Sequence, residues 1–237
     1  MTPQEIINQF ESVVKQRAKD NNNEVIKTAR KLRAGGTNKD TKDLELKIVN
    51  WRERWSRHRS ILYYVEKIVN DKDFATNFAK QPSKQNIYEK LQFEFLIESL
   101  SGIATEVEKL PPNGPNMLYL EGGCIVSKDQ LKQSSKNLKN LDVKITLING
   151  LIVYGTLKYT GKWFGGEQDN QKHDVMNCLQ QHNLSSGVLF FAGLDGPYYH
   201  SEKGKKNLEE FDDLQNSHLT VGSVATISEG IICWAQI

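Results

Sequence analysis

Apolar positions recur at three- and four-residue steps through most of the first hundred residues, then give way to short alternating or wholly apolar runs. Ile6, Phe10, Val13 and Val14 fall at helical spacing. Val25, Ile26, Ala29 and Leu32 resume that spacing after the polar Asp20–Asn23, which predicts two helical stretches with a break between them. Ala34-Gly35-Gly36-Thr37-Asn38-Lys39-Asp40 predicts a flexible connection. Ile48, Trp51, Trp55, His58, Leu62, Val65 and Val69 then form a helical stripe that faces a core or a partner helix. Arg52, Arg54, Arg57 and Arg59 lie off that stripe. A long helix is expected from about Ser83, carrying Ile87, Leu91, Phe95 and Ile103, and Pro111-Pro112-Asn113-Gly114-Pro115 ends the helical part.

Beyond the prolines the pattern is that of a sheet. Met117–Leu120 is a short strand, and Ser127-Lys128-Asp129-Gln130 reads as a capping box opening a polar helix to about Asn140. Val143–Ile148, Asn149-Gly150 and Leu151–Tyr159 predict a hairpin: two β-rich runs around a favoured two-residue turn. A helix is expected over Asn170–Gln181, a buried strand over Gly187–Leu194, a helix over Leu208–Leu214, and one or two strands within Leu219–Ile232. The order predicts an α/β (α+β) fold, a central mixed β-sheet flanked by helices. Residues 1–110 form a helical N-terminal region packed on the core, and 111–237 form the core.

Composition adds limits. The 237 residues are 38% hydrophobic and 25% charged, enough for a sizeable core. No apolar run is long enough to span a membrane. The N-terminus lacks a basic run followed by an apolar one, so the cytoplasm is the expected compartment. The three cysteines show no metal-binding spacing and read as free thiols. The net charge of +2 divides unevenly, +7 over residues 1–90 and −5 over 91–237. A basic half suits a polyanionic partner, and an acidic half has room for a cation-binding cluster.

Candidate chemistry concentrates at the hairpin. Asp142 stands at the start of its first strand and Lys158 late in its second, so the two ends bring a carboxylate and an ammonium together. Gly165-Gly166 then turns the chain into a polar helix start, Glu167-Gln168-Asp169-Asn170-Gln171, with further oxygen ligands. A hard cation on carboxylates beside an ammonium is what phosphodiester hydrolysis requires.

These residues resemble the core of type II restriction endonucleases of the PD-(D/E)XK nuclease superfamily. The resemblance rests on Asp142, the hairpin, Lys158-Tyr159-Thr160 and the Gly165–Gln171 run. Pro82–Lys90 is similar to a helix start in such enzymes, and Phe191–Tyr199 with Leu208 to their buried strand ending in an Asp-Gly turn. Together these span about residues 82–215. The likeness implies Mg²⁺-dependent cleavage of double-stranded DNA by a homodimer, with a cognate DNA methyltransferase as genetic partner. It also implies metal ligation by Asp142 and a water-positioning role for Lys158. One departure stands out: where the pattern has an acid two residues before the lysine, this chain has Thr156. Glu167 or Asp169 then supplies the acid, or Gln168 replaces it as a neutral ligand. Glu98 is the expected helix carboxylate, completing a metal set of Asp142, Glu98 and Asp169. Lys203, Lys205 and Lys206, read as a basic loop, and Arg52 and Arg57 are the candidate DNA-backbone contacts, with Ser185–Ser186 and Glu202–Lys206 as candidate base readers. The rival readings are a repair or structure-specific nuclease, and a non-catalytic DNA-binding protein on the same fold.

Overall fold

The computed structural model describes residues 2–55, 58–81, 87–132, 135, 137–161, 167–182, 187–212 and 214–236, with the backbone alone at 167–171 and 212. They fall into two compact units, Phe10–Ile87 and Met1–Gln9 with Tyr88–Ile237.

The Phe10–Ile87 unit is helical. It takes most of α1 (Pro3–Arg33), then α2 (Lys39–Arg54), α3 (Ile61–Asn70) and the short α4 (Lys72–Ala75). The expected break at Asp20–Asn23 does not occur. Gln16 Nε2 donates to Asp20 Oδ1 one turn on, while the Asn21 and Asn22 side chains donate to the Lys80 and Lys72 carbonyls. The polar run is used in tertiary contacts, so it does not end the helix. The tryptophan stripe is not continuous either. Ser60 caps α3 by accepting from the Tyr63 N–H, which restarts the helix in a new phase. Tyr64, Val65 and Ile68 are therefore buried, whereas Trp55 and Leu62 are exposed. Trp51 stays inside, edge-on to Tyr64 and Phe74 at ring-centroid distances of 5.6 and 5.3 Å.

The second unit holds a five-stranded mixed sheet flanked by helices. Its strands are β1 (Ala104–Lys109), β4 (Val143–Leu147), β5 (Ile152–Tyr159), β6 (Leu189–Asp195) and β7 (Leu219–Gly222), in that spatial order. A separate hairpin joins β2 (Leu118–Glu121) to β3 (Cys124–Ser127). The β1–β4 and β4–β5 pairs are antiparallel, while the β5–β6 and β6–β7 pairs are parallel. Parallel neighbours need crossovers. α6 (Glu167–Gln181) makes the first, and a short turn at Pro197–His200 with α7 (Glu202–Asp212) makes the second. Every residue of β6 is buried, as a strand covered on both faces must be. Phe190, Ala192 and Leu194 share a core with Val175, Cys178 and Leu179 of α6. On the opposite face a Cβ on Gly193 would meet Ile227 and Val224 of α8 (Val224–Ala235), which cover the strand there. Each fully buried Phe or Leu here contributes about 1.5–3 kcal/mol.

Several expectations need correction. The stretch to residue 110 is helical only as far as Leu100, the end of α5 (Ile87–Leu100), and β1 follows as an edge strand. Its Ala-Thr-Glu-Val-Glu-Lys sequence is mostly exposed, and charge on an edge discourages pairing with other chains. After Ser127 the capping contact forms, Gln130 Oε1 accepting from the Ser127 N–H, but no α-helix follows among the described residues. The Leu219–Ile232 region has one strand, because Ser223 caps α8 by accepting from the Thr226 N–H. Lys203, Lys205 and Lys206 lie on α7, not in a loop. Among the described residues no helix is long and apolar enough to cross a membrane.

Candidate active site

The hairpin positions the site. Gly150 adopts φ 84° in the Asn149-Gly150 turn, a conformation that glycine alone tolerates freely. The ladder that follows pairs Val143 with Gly155 and ends with the Asp142 N–H on the Gly155 carbonyl at 2.9 Å. Gly155 leaves no room for a side chain. A Cβ on it would stand 2.2 Å from the buried ring of Phe191 on β6.

Asp142 is thus fixed just before β4, half-buried, with its side chain turned to β5. Its Oδ2 accepts from Thr156 Oγ1 at 2.7 Å and from the Leu157 N–H at 2.9 Å. The position where the nuclease pattern has an acid therefore holds a buried hydroxyl that grips the other carboxylate. Two residues on, Lys158 is 8% exposed, and its Nζ lies 3.9 Å from Asp174 Oδ2 on α6.

α5 brings a further carboxylate. Tyr88 stacks on Tyr159 with ring centroids 3.7 Å apart and planes 6° from parallel, which sets the start of α5 against the end of β5. The next residue, Glu89, is half-buried, and its carboxyl is pushed above the usual range. Burial is the main cause, followed by the negative charge of Asp142, while Lys158, Lys109 and Lys139 pull the other way. Cys178, beneath this group on α6, is raised to about 11, again chiefly by burial. Lys158, Asp142 and Asp174 all act on it electrostatically. Glu89, Asp142, Lys158 and Asp174 therefore form one charged cluster at the end of the sheet.

Of the residues read from sequence, Asp142 and Lys158 come together. Glu98 does not join them. It is exposed near the far end of α5, about 13 Å along the helix axis from Glu89 at the usual rise per residue. Glu167, Gln168 and Asp169 open α6, and their side chains lie outside the described residues, as do Gly165 and Gly166. Lys203 lies on α7 with Lys205, which pairs with Glu202 at 3.7 Å, and with the exposed Lys206. Arg52 is in the last turn of α2, in the other unit, while Arg57, Ser185 and Ser186 lie outside the described residues. Glu89, Asp174 and the buried Gln92 were not read from sequence. For Glu89 and Gln92 the signal was the helical spacing Glu89-Gln92-Leu96-Leu100, a face whose last three members are wholly buried. Among the described residues no group of three or more His, Cys, Asp or Glu side chains is arranged to hold a metal ion. Comparison of the chain with protein-family models, with curated proteins and with solved structures gives no match.

Proposed function

We propose that the chain is a Mg²⁺-dependent endonuclease of the PD-(D/E)XK kind, a type II restriction enzyme that hydrolyses phosphodiesters in double-stranded DNA. The observation that supports it is the hairpin cluster: a buried lysine on β5 flanked by carboxylates from three other segments. Mg²⁺ keeps most of its water and takes only one or two protein carboxylates, so Glu89 and Asp142 suffice as its ligands. Burial first and then the charge of Asp142 raise the carboxyl of Glu89, and a bound cation would relieve that repulsion. The cation, when bound, polarises the phosphoryl group and acidifies a coordinated water.

The chain's own groups do the rest. Thr156 and the Leu157 N–H hold Oδ2 of Asp142 and fix the direction of Oδ1. Lys158 presents its ammonium to the attacking water and to the charge that develops on the phosphate, and Asp174 holds that ammonium from behind. Glu167, Gln168 and Asp169 are carried over from the resemblance as further ligands. A homodimer acting in the cytoplasm, with a partner methyltransferase, completes the reading.

One observation favours a second reading. Thr156 is 1% exposed and bonded to Asp142, so the strand acid is replaced by a group that ligates metal poorly. A DNA-binding protein that does not cut is the alternative. Incubation of unmethylated phage DNA with the protein and Mg²⁺ separates the two: discrete fragments support the nuclease. Binding without cutting in Mg²⁺ and in Mn²⁺ supports the alternative.

A further inference from the structure

Asp195 plays no part in the chemistry above, yet it is among the most deeply buried polar residues, 1% exposed at the end of β6. Its Oδ2 accepts from Gln92 Nε2 at 2.7 Å and from the Val224 N–H at 3.3 Å. Gln92, wholly buried on α5, also donates from Nε2 to the Lys158 carbonyl at 3.1 Å. One amide therefore joins the helix of Glu89 to the strand of Lys158.

Two buried acceptors in this group lack a donor among the described residues, Asp195 Oδ1 and Gln92 Oε1. Turning the Gln92 amide over does not help. It would set Oε1 against the Lys158 carbonyl and Asp195 Oδ2 and would lose both N–H bonds. Leaving a buried ionised carboxylate with an unpaired oxygen beside another unpaired oxygen is costly. A single hydrogen on Asp195 Oδ1, donated to Gln92 Oε1, satisfies both. The carboxylic acid and the primary amide then form a cyclic pair, each giving one hydrogen bond and taking one.

We propose that Asp195 is held as a neutral acid in a cyclic pair with Gln92, and that this pair is a positioning device fixing Glu89 of α5 against Lys158 of β5. The surroundings agree. The groups facing Asp195 are Gln92 from α5, the Val224 N–H from α8, and the phenol of Tyr199 from the turn after β6. The Thr160 N–H at the end of β5 is taken by the Asp195 main-chain carbonyl. Among the described residues none of these elements brings a cation to it. Burial drives the carboxyl up to about 6 against the pull of Gln92 and Val224. The Oδ1–H bond, made only by the neutral form, moves it further the same way.

The pair stands by itself; its positioning role rests on the proposed nuclease reading. Infrared difference spectra of wild type against Asp195→Asn at pH 7 are expected to show a neutral carboxyl stretch that the variant lacks. A carboxylate band in its place overturns the pair. Asp195→Asn reproduces the pair, since Nδ2 donates to Gln92 Oε1 and the amide oxygen accepts from Nε2. It is expected to keep wild-type cleavage, while Gln92→Met lowers kcat about 10- to 100-fold with KM little changed. Full kcat in Gln92→Met overturns the positioning role. If wild type never cuts DNA the nuclease reading fails, and the infrared result still decides the pair.

Discussion

Replacing Thr156 with valine exchanges a hydroxyl for a methyl of nearly equal volume at a position 1% exposed, so neither cavity nor clash results. What is lost is the 2.7 Å bond from Oγ1 to Asp142 Oδ2, leaving the Leu157 N–H as the remaining donor to that oxygen. A hydrogen bond to an ionised group contributes about 1.5–3 kcal/mol net. Asp142 is half-buried, so water replaces part of the lost bond and the expected cost lies near the lower end, about 1.5 kcal/mol. Urea unfolding of wild type, Thr156→Val, Asp142→Asn and the double variant isolates the term as a coupling energy. The expected value is about 1 kcal/mol or more, the size found for groups in one hydrogen-bond network. Coupling below about 0.5 kcal/mol, the ordinary error of additivity for independent sites, would refute the grip of Thr156 on Asp142.

Other consequences follow from the same geometry. Gly155→Ala sets a Cβ 2.2 Å from the Phe191 ring and is expected to cost about 3 kcal/mol, the upper end of overpacking. Adding Phe191→Leu should return part of that stability in urea unfolding; no recovery would mean that the strain lies elsewhere. Ser60→Ala removes the cap of α3 and should lower stability by about 1 kcal/mol, measured by thermal unfolding. Burial pushes Asp195 up to about 6 from 3.8 and the Oδ1–H bond to Gln92 lifts it further, so its contribution is full well below 3.8 and is lost as pH rises through the folded value. The stability of wild type relative to Asp195→Asn should therefore fall by about 2 kcal/mol or more between pH 4 and 7, and a rise over that window would contradict the assignment.

The elements legible in the sequence carry strong local signals. Asn149-Gly150 dictated the turn, and with it the pairing that brings Asp142 and Lys158 to one end of the sheet. Gly187–Leu194 gave the central strand because Leu189–Leu194 are buried in succession and leave an unbroken apolar run. α8 was harder: it is apolar on several sides, and Ile227, Ile231 and Ile232 are equally at home in a strand. β1 has little buried surface and so no alternation to read. The choice between Glu98 and Glu89 depends on which turn of α5 meets the sheet. That is set by the Tyr88–Tyr159 stack and the Gln92 bonds, contacts across 71 and 66 residues of sequence that local pattern does not encode. Asp174 was hidden in the same way, because its link to Lys158 exists only once α6 crosses over the sheet.

Lys158, among carboxylates at the hairpin end, is proposed to serve DNA cleavage with a divalent cation. The most direct test is Mg²⁺-dependent digestion of unmethylated phage DNA by wild type, Lys158→Ala and Glu89→Ala, each checked for folding by circular dichroism. Wild type is expected to give discrete fragments, abolished by chelation, and both variants a rate lowered about 100- to 1000-fold. Undiminished cleavage by a folded Lys158→Ala protein would contradict that role for Lys158.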